Sequence, residues 1–200
     1  MTTSLNKLAR RPSSDGRPRD GEPDTTPPRL SDFAWTNQGA AVATQRDGYI
    51  SVVAPDKPTA DQNRLLTLPA PAAPWSMTAR MNVLHCAEWQ GGGLCMMDSA
   101  SSRLLLLGTL GAGVRLSRWY SPSAFFDSPF LGSAFQPPWL RMRNDGTNLY
   151  ADISTDGYSW ATVWTEGITA FLTKAPDRIG FFLAHNNAPS QGSLMSFKLG

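Results

Sequence analysis

Between Trp75 and Val83, apolar and polar side chains alternate without a break. Trp75, Met77, Ala79, Met81 and Val83 interleave with Ser76, Thr78, Arg80 and Asn82. A period of two puts each set on its own face of a strand, one half buried and one in water. Short runs rich in β-branched and aromatic residues recur along the chain and predict further strands over 40–45, 49–54, 93–97, 103–108, 114–119, 139–143, 148–154, 158–164, 179–184 and 194–199. The pairs Asp47-Gly48, Asp145-Gly146 and Asp156-Gly157 supply hairpin turns between them. No long stretch carries a helical stripe, and 168–174 is expected to make a single turn. Many short strands joined by turns predict an all-β sandwich or barrel. Gly108, Gly111 and Gly113 lie between two such strands without a lysine, so they read as a β-turn and not as a phosphate cradle.

Residues 1–30 break the pattern. They hold Pro12, Pro18, Pro23, Pro27 and Pro28, no aromatic and almost no apolar side chain. Such a segment cannot bury enough surface to offset its ordering entropy and is expected to be disordered alone, either as a flexible leader or as an extended arm that orders on a partner. The whole chain has 200 residues and a formal charge of +2. Lys7, Arg10, Arg11, Arg17, Arg19 and Arg29 outnumber Asp15, Asp20, Glu22 and Asp24 by the same amount, so residues 31–200 are neutral. A neutral body argues against a nucleic-acid partner. Two Cys and two His exclude a disulfide-dense module or several zinc sites, and no cofactor is expected. No apolar run reaches the ~18 residues that indicate a membrane span, and the N-terminus does not read as a signal peptide.

Candidate chemistry is sparse. Glycoside hydrolysis needs two facing carboxyl groups, and Glu22, Glu88 and Glu166 are too widely spaced for one strand to present a pair. Asp156 is expected to cap its own turn, so it is no partner for Asp152. His85 and Cys86 are adjacent, which on a strand sends them to opposite faces. Cys86 and Cys95 are expected in a hairpin as small buried groups, with a cross-strand disulfide possible but not required. His185 reads as a loop histidine. Asp145, Asn148 and Asp152 offer oxygen ligands for calcium, but no further carboxylate stands nearby. The densest feature is aromatic: Trp119, Tyr120, Phe125, Phe126, Phe130, Phe135 and Trp139 crowd a segment that Pro122, Pro129, Pro137 and Pro138 keep irregular. This reads as a long loop that either plugs one end of the fold or offers contact to a subunit or a sugar.

The succession Trp139-Leu140-Arg141-Met142-Arg143, then Tyr150, then Ser154-Thr155-Asp156-Gly157 with Trp160, then Ile179-Gly180-Phe181 resembles the concanavalin A-like lectin/glucanase sandwich, a LamG-like jelly roll. In this reading Asp156-Gly157 is a tight turn, Trp160 covers the core, and Gly180 lets the next strand pack closely. A single Asp-box-like hairpin does not make a sialidase propeller, which needs several blades. The stretches 93–98, 102–108 and 118–125, with the opening Phe33-Ala34-Trp35-Thr36-Asn37-Gln38-Gly39, are similar to virion proteins of tailed bacteriophages. The carboxylate-rich strand of the family's glucanases and the metal ligands of its legume lectins are absent from this sequence.

The resulting expectation is an antiparallel jelly-roll β-sandwich over 31–200 with an extended N-terminal arm over 1–30. Its function would be that of a non-enzymatic virion component, in capsid decoration or in the tail or fibre. Arg10, Arg11, Arg17, Arg19 and Arg29 would grip other virion proteins, and copies would associate through Trp119, Tyr120, Phe125, Phe126, Phe130 and Trp139. The alternative is a lectin-like module that stacks bacterial surface glycans on those same rings.

Overall fold

The computed structural model describes residues 26–84, 90–111, 113–132 and 136–200. The fold is all-β: two seven-stranded antiparallel sheets packed face to face. The strands are β1 (Ala34–Asn37), β2 (Val42–Arg46), β3 (Tyr49–Ala54), β4 (Gln62–Pro69), β5 (Trp75–Leu84), β6 (Gly91–Asp98), β7 (Arg103–Leu110), β8 (Gly113–Ser121), β9 (Ala124–Leu131), β10 (Trp139–Asn144), β11 (Asn148–Ser154), β12 (Ala161–Gly167), β13 (Arg178–His185) and β14 (Ser190–Leu199). One turn of helix, α1 (Ile168–Phe171), falls where a single turn was expected. The front sheet runs β1-β4-β13-β6-β7-β8-β9 and the back sheet β12-β11-β10-β5-β14-β3-β2. No helix among the described residues is long and apolar enough to cross a membrane.

The period-two pattern of β5 is realised: Trp75, Met77 and Ala79 are buried while Ser76, Thr78 and Arg80 face outward. Asp47-Gly48 and Asp145-Gly146 close the β2–β3 and β10–β11 hairpins, with Gly48 and Gly146 at positive φ where an L side chain would be strained. Gly111 turns β7 into β8 in the same way. The main core lies between the sheets and includes Ile50, Leu66, Met77, Leu94, Leu105, Phe181 and Leu194.

The front sheet has a second apolar cluster on its opposite face. Leu65, Phe182, Cys95, Met97, Leu104, Leu106 and Trp119 alternate with the residues that point into the main core. Part of the reason that this outer face is buried lies in the β8–β9 hairpin. Its turn carbonyl, Pro122 O, accepts the Asn63 backbone N–H at 2.9 Å and the Asn63 Nδ2–H at 3.0 Å. Four strand spacings separate β4 from β8 in the sheet order, about 19 Å on a flat sheet. The sheet must therefore roll until the hairpin reaches across its outer face. Three register irregularities in the β8–β9 pair supply the bend.

Several expectations are corrected. The aromatic segment is no loop: 113–121 and 124–131 form a hairpin, and Pro129 is tolerated because β9 is an edge strand. β1 and β4 were not anticipated; β4 is buried on both faces and shows no alternation. β5 and β6 lie in different sheets, and the expected pairing of Cys86 with Cys95 falls outside the described residues. Cys95 is a free, fully buried thiol whose pKa is driven up by burial, while His85, Cys86 and Phe135 lie outside the described residues. His185 is the last residue of β13 and is buried, not a loop histidine.

The predicted arm is described only from residue 26, so Arg10, Arg11, Arg17 and Arg19 lie outside the described residues. Residues 26–30 run along the sandwich: Thr26 O accepts Phe197 N–H, Pro28 O accepts Gln45 Nε2–H, and Leu30 N–H donates to Gln45 Oε1 at 2.7 Å. Arg29 O accepts from Asp32 N–H in the turn that follows.

Candidate functional site

Where the β8–β9 hairpin arches over the front sheet, it leaves a groove of about 250 Å³. The apolar wall is Leu110, Trp119, Phe125 and Ala184, and the polar end is Asp61, Asn63, His185 and Asn186. Each polar group is placed by its element. Asn63 is the second residue of β4 and is held by Pro122 O. Asn186 follows β13 and donates its Nδ2–H to Asp61 Oδ1 at 2.9 Å. The loop carrying Asp61 is tied to the end of β13 by Asn187 N–H to Pro58 O at 2.8 Å.

Both carboxamides are fixed in orientation because their nitrogens face oxygen acceptors. This leaves Asn63 Oδ1 and Asn186 Oδ1 buried, without a hydrogen-bond partner, in residues that line the groove. Unpaired buried acceptors cost roughly 1–3 kcal/mol each; both atoms are closed to solvent here, so a donor in the groove reaches them only when the lining side chains shift. Behind them, Arg64 Nε–H donates to His185 Nε2 at 3.0 Å while Arg64 Nη2 binds Asp56 at 2.7 Å. A guanidinium only donates, so the neutral imidazole accepts at Nε2. Burial holds the His185 pKa below its ordinary value, and the Arg64 cation acts in the same direction.

The six expected aromatic contacts do not form one surface. Trp119 and Phe125 pack edge to face at 5.2 Å on the groove side. Phe126 stacks on Phe171 with Tyr120 beside them, and the Arg118 guanidinium lies over the Phe126 and Phe171 rings. Phe130 packs against the main core. Trp119 and Trp139 are each only 5% exposed, which removes both as stacking faces, while Phe125 at 48% leaves a ring face open at the groove.

The candidate calcium ligands are already engaged. Asp145 accepts from Thr147 N–H, Asn148 N–H and Tyr150 O–H, which hold its pKa near 2. Asp152 is fully buried beneath Arg141, Arg143 and Thr162. Asp156 caps its own turn, as expected, through Tyr158 N–H and Ser159 N–H. Glu166 pairs with Arg118, and burial raises its pKa. Trp160 does not cover the core: its ring lies 4.3 Å from the Arg141 guanidinium on the outer face of the back sheet. Sequence reasoning missed Asp61, Asn63 and Asn186 as a group. The available signal was polar residues capping two apolar strands, at 61–64 and 185–187.

Neither a family model nor a curated protein matches this chain. Solved structures do. A functionally unknown protein from Saccharomyces cerevisiae aligns at TM-score 0.64 and 14% identity over 86% of this chain and 98% of its own. The exoplasmic/lumenal domain of VIP36 in a Ca2+/Man3GlcNAc-bound form aligns at 0.58 and 10% identity, over 88% and 86%. A xylan β-1,4-xylosidase from Bacillus halodurans aligns at 0.61 and 12% identity over 97% of this chain, which spans only 41% of the xylosidase. At these identities the likeness concerns the fold. The chain shares with these structures an antiparallel β-sandwich fold of the jelly-roll type.

Proposed function

We propose that the protein is a lectin-like carbohydrate-binding module that takes a glycan in the groove beneath the β8–β9 hairpin. The observation that carries this is the pairing of two unsatisfied buried acceptors, Asn63 Oδ1 and Asn186 Oδ1, with the exposed face of Phe125 across the same groove. Sugars present this combination, with hydroxyl donors along one edge and an apolar C–H face. The Man3GlcNAc-bound VIP36 domain of the same fold supports the reading. Among the described residues the groove brings one carboxylate, Asp61, and not a facing pair, which favours binding over hydrolysis. A virion role rests on the sequence resemblance and on the arm over 1–30, and no feature of the described sandwich favours it over sugar binding.

A glycan array read with the full chain identifies the ligand, and calorimetry then compares wild type with Phe125→Ala. Loss of the ring is expected to weaken binding about tenfold with the melting temperature little changed. A chain that binds no glycan, or whose affinity survives Phe125→Ala, refutes the groove.

A further inference from the structure

The outer face of the back sheet carries a second constellation that the groove does not use. Arg141 on β10 faces Asp152 on β11 in register, and Arg143 follows two residues on along the same face. Asp152 is fully buried and accepts four hydrogen bonds: Arg141 Nε at 2.7 Å, Arg143 Nε at 2.6 Å, Arg143 Nη2 at 3.1 Å and Thr162 Oγ1 at 2.7 Å. The guanidiniums are held from their other sides by rings, Trp160 at 4.3 Å from Arg141 and Tyr150 at 4.2 Å from Arg143. Arginine at a surface is ordinarily mobile; here one carboxylate and two aromatic rings fix two of them side by side.

The bonds that fix them leave donors unspent. Arg141 engages Asp152 only through Nε, so among the described residues neither of its Nη groups has a hydrogen-bond partner, and neither does Arg143 Nη1. The two side chains are 25% and 32% exposed, enough for a ligand to reach these N–H edges. One bidentate arginine would satisfy Asp152; the second adds a positive charge that the buried carboxylate does not offset. Arg80, opposite Trp139 on the adjacent β5, adds a further exposed cation diagonal to Arg141. The neighbouring carboxylate, Asp145, keeps its charge and acts on Arg143, so the cation left without a counter-charge is on the Arg141 side, next to Arg80.

We propose that Arg141 and Arg143, flanked by Trp160 and Tyr150, form a binding site for the carboxylate of an acidic sugar, with the guanidinium Nη edges receiving the oxyanion and the rings bordering the sugar. A guanidinium fork matches a carboxylate in plane, and its fixation by Asp152 removes most of the ordering cost of binding. The site stands on the opposite sheet from the groove and does not depend on it.

The test titrates the full chain with oligogalacturonate, with neutral xylotriose and with acetate, following Arg Nε–H resonances and calorimetric heat. Saturable oligogalacturonate binding is expected that shifts the Arg141 and Arg143 signals and weakens as salt rises toward about 0.5 M. Arg141→Gln is expected to reduce affinity about tenfold, and Arg141→Lys similarly, because lysine keeps the charge but loses the fork. Thermal melts of both variants confirm folding, and Phe125→Ala leaves this binding intact even where it abolishes binding in the groove. Equal affinity for xylotriose, equal affinity in the Arg141 variants, or acetate binding with no gain from the sugar overturns the proposal.

Discussion

Single residues decide more of this structure than their chemistry alone suggests. Gly180 sits where β13 pairs with β4, and a Cβ built on it would stand 2.3 Å from Leu66 O and 2.8 Å from Thr67 Cα. Both are backbone atoms in a central pair of strands and cannot move aside. Gly180→Ala should cost about 2–4 kcal/mol, measured as a shift of the urea midpoint at unchanged slope. Asp98 is a second such position. Burial opposes its ionisation, but Thr173 and Ser101 hydrogen bonds prevail and lower its pKa to about 2. An unfolded aspartate titrates near 4, so the folded state holds its proton less tightly. The stabilising contribution of Asp98 is complete above about pH 4 and is lost as pH falls toward 2. Denaturation curves across that window should show a shallower acid limb for Asp98→Asn than for wild type.

At the scale of elements, the β8–β9 hairpin is the part that makes a site. As a flat edge hairpin it would expose Trp119 and leave Leu65, Leu106 and Phe182 facing water. Rolled over the front sheet, it covers these residues and creates the groove. The clasp is Asn63, whose side-chain and backbone N–H groups both reach Pro122 O. Asn63→Ala removes one of the two bonds and should destabilise the fold by only about 1 kcal/mol. Amide exchange in 113–131 should nonetheless accelerate more than in β13 or β6, since the loss is local to the roof. Uniform acceleration across both sheets would instead show that the hairpin opens only with the whole fold.

The turns were legible in the sequence because their cause is local. Asp47-Gly48, Asp145-Gly146 and Asp156 act through a positive φ or a carboxylate that caps neighbouring N–H groups, and neither requires knowledge of distant residues. β4 and β9 escaped for opposite reasons. β4 is buried on both faces and so loses its alternation, whereas the proline of β9, Pro129, is harmless only on an edge. The groove was illegible because Asp61, Asn63 and Asn186 reach one place only through sheet pairing.

At the scale of the molecule, the two sheets carry separate chemistry on their outer faces. The front sheet offers buried acceptors and an aromatic ring, suited to hydroxyl donors; the back sheet offers guanidinium donors, suited to an oxyanion. The sequence by itself determined the all-β class, most strand positions, the turns and the neutrality of residues 31–200, since these follow from period, composition and local backbone preference. Tertiary structure decided which faces the aromatics occupy, that Trp119 and Trp139 are covered while Phe125 is open, and that Trp160 stacks on Arg141. Alternation assigns a residue to one of two faces. Whether that face meets core, roof or water depends on how the sheet rolls and on which strands become neighbours, and both are set by contacts far apart in the chain.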